Sequence, residues 1–367
     1  MPILALAGAV WPFRHDRRSR ILAAGNSTGR MALVELEPAM RESRARVGNE
    51  GSRRMIAHKA GSFDVRRIAL AAAVLAGSCG FAAAGPNEAG DRALAAGDCF
   101  HAVAYYRMAA DRNDGWGQLN MGKLYEAGTC VKQNYKEAAK WYKWSAQKNN
   151  SWAQYSLGLL YESGNGVQKD DKKAAELFGK SAAQDNPWGV YSLARVLETG
   201  QGITADPAQS LKDFEKAAKL GNAWAQYTLG DKYFEGKGVA KDLKKAAGFY
   251  QAAADQGNAW SQFKLAQMYL SGRGVKQSNK TAAALLKKSA DQGNVLAQAG
   301  YASLLESGKG VSANRKEAMR YYRLAAAQPG APAFVEARIK ALGSAGTKPS
   351  TDAAKPAVTA AGPAKAQ

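Results

Sequence analysis

Few residues in this chain could carry chemistry, and their spacing argues against an active site. The histidines are His15, His58 and His101, and the cysteines are Cys79, Cys99 and Cys130. No group of them has zinc-site spacing, so neither a metal nor another cofactor is expected. A reactive thiol at Cys99 would need help from His101, yet residues two apart on a helix face different ways. Ser-x-x-Lys, a nucleophile motif of penicillin-binding enzymes, occurs twice, at Ser145 to Lys148 and at Ser261 to Lys264. Neither Ser-Asp-Asn nor Lys-Thr-Gly accompanies it. Ser145 also falls in a column of small residues with Ser181, Ala217, Ala253, Ser289 and Ala325, which packing explains without chemistry. The expectation is that the protein is not an enzyme.

The elements that position these residues come from a repeat. Trp116, Trp152, Trp188, Trp224 and Trp260 follow one another at 36-residue intervals, and Leu296 takes the sixth place. A fixed period of this length is the signature of a stacked architecture, in which each unit buries its faces only against its neighbours. Within each unit the columns predict a capped helical hairpin. Asp114, Asn150, Asn186, Asn222, Asn258 and Asn294 supply N-caps for a first helix, and Gly128, Gly164, Gly200, Gly236, Gly272 and Gly308 end it. Asn134, Asp170, Asp206, Asp242, Ser278 and Asn314 then cap a second helix. That helix stops at Asn113, Asn149, Asp185, Gly221, Gly257 or Gly293, residue types that tolerate positive φ. The small column Gly122, Gly158, Ala194, Gly230, Ala266 and Ala302 lets neighbouring helices approach closely. The fold class is therefore all-α, an α/α superhelical solenoid of 36-residue hairpins.

These columns resemble the Sel-one-like repeat family, relatives of the tetratricopeptide repeats. In the unit at 222–257 the matching residues are Ala225, Leu229-Gly230, Tyr233, Gly236-Lys237-Gly238-Val239, Asp242, Lys245-Ala246, Phe249-Tyr250, Ala253-Ala254 and Gly257. The third unit departs most, with Ala194 for Gly and Ser210-Leu211 for the Ala pair, and Cys130 replaces the second loop glycine of the first unit. The resemblance implies a scaffold or adaptor that holds a protein or peptide along its concave face. Some cysteine-rich members carry a β-lactamase label, which makes a penicillin-binding enzyme the least favoured alternative.

Domain organisation follows from composition around the repeats. Residues 85–115 read as a leading partial unit, 116–331 as six repeats, 332–342 as a capping helix, and 343–367 as an Ala/Pro/Lys-rich tail with disordered composition. Residues 68–84 are apolar and uncharged, follow Arg66-Arg67, and end in Ala82-Ala83-Ala84 before Gly85. This is a secretory signal with cleavage near Ala84 and Gly85, and Met55 would begin it conventionally. Residues 55–84 are thus read as signal peptide, and the Arg-rich residues 1–54 as an extension ahead of the true start. Cys79 could accept a lipid, but Ala76 stands where a lipobox usually has Leu. The mature protein is expected to be periplasmic or secreted and not transmembrane. Cys99 and Cys130 then lie at the same edge of adjacent units, and an isolated pair in an oxidising compartment reads as a disulfide.

The formal charge of +20 divides unevenly, with residues 1–84 holding 13 Lys/Arg against 6 Asp/Glu. A basic body suits acidic partners or anionic envelope surfaces. No stripe of the kind that grips nucleic acid stands out, and no nucleic-acid partner is expected. The tryptophan column is the candidate binding feature, because its helix face also carries the variable polar positions of Thr228 and Asp231. Tyr155, Tyr191, Tyr227 and Phe263 would flank it or pack between units. Evenly spaced aromatic rings also stack on sugars, so peptidoglycan is the second expected partner class.

Overall fold

The computed structural model describes residues 85–344. The expected signal segment at 55–84 with Cys79 and Ala84, the extension at 1–54, and residues 345–367 of the tail lie outside the described residues.

All regular structure among the described residues is helical. A leading hairpin, α1 (Pro86–Ala95) and α2 (Cys99–Asp111), precedes six others. These are α3 (Gly115–Ala127) with α4 (Tyr135–Gln147), α5 (Ser151–Ser163) with α6 (Asp171–Ala182), and α7 (Pro187–Thr199) with α8 (Pro207–Lys219). They continue as α9 (Ala223–Glu235) with α10 (Leu243–Asp255), α11 (Ala259–Ser271) with α12 (Asn279–Asp291), and α13 (Val295–Ser307) with α14 (Arg315–Ala326). Helix α15 (Phe334–Ser344) closes the stack against α14.

The repeated residue types set these boundaries. Asn150 accepts the Ala153 amide at 3.1 Å and Asp242 the Lys245 amide at 2.9 Å, each satisfying a first-turn donor that the helix cannot. The first helices end on left-handed glycines from Gly128 to Gly308. Asn113, Asn149 and Asp185 adopt positive φ at the ends of the early second helices, where later units use glycine. The solenoid expected from the 36-residue columns is what the chain forms.

Packing within a hairpin centres on one aromatic ring beneath one small residue. A Cβ added to Gly158 would come within 2.6 Å of the Phe178 ring, and one on Gly230 equally close to Tyr250. Phe178 and Tyr250 are fully buried there. Within a hairpin, glutamine side chains also form a clasp that the sequence columns did not disclose. Gln184 donates to Gln154 at 2.7 Å, Gln256 to Gln226 at 2.8 Å, Gln292 to Gln262 at 2.8 Å and Gln328 to Gln298 at 2.9 Å. Each clasp crosses 30 residues of sequence and ties the end of a second helix back to the first helix of its own hairpin.

Candidate functional site

Each tryptophan occupies the second position of a first helix, beside its N-cap. The Asp114 carboxylate accepts the Trp116 amide at 3.0 Å and the Asn186 amide oxygen accepts that of Trp188 at 3.0 Å, so the caps hold these residues at the helix mouth. The five indoles are not equivalent. Trp116 is 52% exposed, Trp224 37% and Trp260 41%, whereas Trp152 and Trp188 are half-buried. The aromatic residue three positions on fills the space between units. Tyr155 lies 6.5 Å from Trp152, 6.1 Å from Trp188 of the next unit and 6.2 Å from Phe178 beneath it. The rail continues as Trp188 to Tyr191 at 6.3 Å, and recurs as Trp224 to Tyr227 at 5.9 Å. Burial raises the Tyr155, Tyr191 and Tyr227 phenols above their ordinary range, so all three rings stay uncharged at neutral pH.

The polar positions beside the tryptophans are partly engaged within the stack itself. Arg195 meets Glu162 of the preceding unit at 2.7 Å, Lys232 meets Glu198 at 2.5 Å and Lys264 meets Asp231 at 3.3 Å. Arg338 likewise pairs with Glu306. Asp231 also accepts the Tyr250 hydroxyl at 2.5 Å. These pairs were missed because each column, read alone, looks variable. Their only sequence signal is complementary charge about one period apart. Under the first hairpin, burial raises the Glu126 carboxyl despite the Tyr142 hydroxyl and Lys123 that favour its charged form.

The residues weighed for chemistry take structural places. Ser145 is fully buried and its hydroxyl donates to the Gly115 carbonyl at 2.6 Å. Ser181 and Ser289 repeat this clasp on Ser151 and Ala259 at 2.8 and 2.7 Å. Ser261 is buried in the column of Gly117, Ala153, Gly189, Ala225 and Ala297, while the Lys264 ammonium faces Asp231. His101 is exposed, with Nδ1 on the Asp98 carboxylate at 2.7 Å. No metal-binding group of side chains occurs among the described residues, and no helix there is long and apolar enough to cross a membrane. Cys99 and Cys130 are bonded, with Cα atoms 4.9 Å apart, well inside the range a disulfide needs.

A search of curated proteins finds no match to this sequence. Among solved structures, a Sel1 repeat protein from Oxalobacter formigenes is 32% identical, with 65% of this chain and 98% of that one aligned at a TM-score of 0.61. A protective antigen of uropathogenic Escherichia coli with an SLR fold is 28% identical at a TM-score of 0.59. The alignment takes in 78% of this chain but only 60% of the antigen. The Sel1 repeat profile matches seven times, at residues 92–114, 117–150, 153–186, 189–222, 225–258, 261–294 and 295–329. With hairpin geometry and repeat profile agreeing over most of its length, the chain belongs to the Sel1 repeat family.

Proposed function

We propose that this protein is an exported scaffold that holds a protein or peptide partner on the face made by its first helices, with Trp116, Trp224 and Trp260 as anchors. The observation that carries the reading is the exposure of three indoles at one repeated position whose neighbouring aromatic column is packed. Exposed indoles on a rigid frame present large contact area at little entropic cost, which is how hot-spot anchors work. The ion pairs from Glu162 to Lys264 stiffen the same face. Export is supported by the signal-like residues 55–84 and by the Cys99–Cys130 bond, since disulfides persist in oxidising compartments. A scaffold is favoured over an enzyme because Ser145 serves as a clasp and His101 is exposed with its Nδ1 on Asp98, its own helix cap.

The test is capture of envelope partners by the wild-type chain and by a Trp224→Ala/Trp260→Ala variant, with melting temperatures measured on both. Loss of the same captured proteins from a variant of unchanged stability supports the reading. Equal capture by both proteins removes the ladder, and retention on sedimented peptidoglycan alone would move the assignment to a glycan partner.

A further inference from the structure

The chain's positive charge is concentrated at one place that the whole-sequence total conceals. The loop joining the two helices of a hairpin, with the first turn of the second helix, spans ten residues in each unit. In the last three units these segments are 236–245, 272–281 and 308–317, and together they hold ten Lys or Arg against two acidic residues. The same segments of the first three units, 128–137, 164–173 and 200–209, hold five against four. The charge therefore belongs to one half of one edge and is not a general property of the helical exterior.

The basic side chains at this edge are exposed, and most lack a partner. Lys237, Lys241, Lys244, Lys276, Lys280, Lys309 and Lys316 are all exposed, and none makes an ion pair or side-chain hydrogen bond among the described residues. Lys244, Lys280 and Lys316 recur at the second position of α10, α12 and α14. A cation there opposes the positive end of the helix dipole, so helix stability gives no reason for it. The edge is also remote from the tryptophans. These start the first helices while the lysines start the antiparallel second helices, and a 13-residue helix separates the two ends by about 20 Å.

The chemistry of the edge selects its partner. Both arginines are occupied, Arg273 over the Phe234 ring at 4.7 Å and Arg315 on the Leu342 carbonyl at 2.7 Å. The Tyr233 ring is covered by Lys245 at 5.3 Å. Among the described residues of this edge, no arginine fork is left to read bases, and the Tyr233 and Phe234 rings are already covered. What remains is a field of lysine ammonium groups, point charges that attract phosphate without demanding fixed geometry. We infer that this edge, built by the loops of the last three units, docks the protein on an anionic phospholipid bilayer. The inference stands apart from the tryptophan face, and would leave that face free for a protein partner.

The test uses the mature chain, residues 85–367, and sedimentation with vesicles of phosphatidylcholine, alone or with phosphatidylglycerol. The edge variant is Lys244→Glu/Lys280→Glu/Lys316→Glu, and the control, with the same charge change elsewhere on the second helices, is Lys143→Glu/Lys180→Glu/Lys288→Glu. Wild type should partition onto anionic vesicles, not onto neutral ones, and should be released by high salt. At the contribution ordinary for a lysine near an anionic surface, the edge variant should lose about a hundredfold or more in partition. The control should stay within about threefold of wild type on the same scale. Equal loss in both variants, equal binding to neutral vesicles, retained binding by the edge variant, or full displacement by duplex DNA at matched phosphate would each overturn the inference.

Discussion

Cys130 stands to Cys99 as Gly202 stands to Asp171 and Gly310 to Asn279. In each pair the second residue opens a second helix, and the first, 31 positions on, lies in the loop of the following hairpin. A Cβ placed on Gly202 or Gly310 would overlap the carbonyl group of its partner, so these contacts are backbone on backbone. In the first junction the glycine is replaced by Cys130, still at φ +63°, and its sulfur completes the contact as a covalent bond. The disulfide thus joins a contact that other junctions make through glycine.

The bond closes a 31-residue separation, for which chain-entropy arguments give about 3–4 kcal/mol of stabilisation. In a Cys99→Ala background, Cys130→Gly should be more stable than Cys130→Ala by about 1 kcal/mol, because glycine, unlike alanine, accepts the left-handed backbone without strain. Urea denaturation of the two variants measures the difference. Equal midpoints would show that the strain at residue 130 relaxes away.

Gly202 and Gly238 share φ +74° but differ in surroundings, since nothing lies within 4 Å of a Cβ built on Gly238. Alanine at Gly238 should therefore cost only the left-handed penalty, about 1–2 kcal/mol. Alanine at Gly202 should cost about 1–3 kcal/mol more, because the Asp171 backbone must move. Thermal melts of the two single variants compare them directly, and equal losses would remove the close-contact argument.

The tryptophans should divide by exposure. Trp224→Ala and Trp260→Ala should cost about 1 kcal/mol or less, the range usual for substitutions outside the core. Trp188→Ala, which removes a ring packed against Tyr155 and Tyr191, should cost about 2–3 kcal/mol, short of the full penalty for a core aromatic. Chemical denaturation of the three proteins would reveal the split.

Asp170 caps α6, and its carboxyl is held below the ordinary aspartate value by the Lys173 backbone amide and by the Lys173 ammonium. A lowered folded-state value adds stability that is present above the unfolded value of 3.8 and lost as pH falls through the folded one. Asp170→Asn keeps a cap but cannot titrate. The melting temperature of wild type relative to this variant should therefore decline below about pH 4 and hold steady above pH 5. A constant difference from pH 7 to pH 2 would contradict the assignment.

The period, the caps, the glycine turns and the small-residue column were legible in the amino-acid sequence. Each of these is a local demand on φ, on a first-turn amide or on side-chain volume, and six copies of one demand leave little ambiguity. The sequence also placed Cys99 and Cys130 on a common edge. What depends on how one unit lies upon the next emerges only from the folded stack. Trp152 and Trp188 are half-buried while Trp224 and Trp260 are not, although all four fill the same column. Arg195 reaches Glu162 and Lys232 reaches Glu198 only because stacking brings residues 33 and 34 apart into contact. Exposure and pairing across a junction are properties of two surfaces together, and a column read one unit at a time holds only one of them.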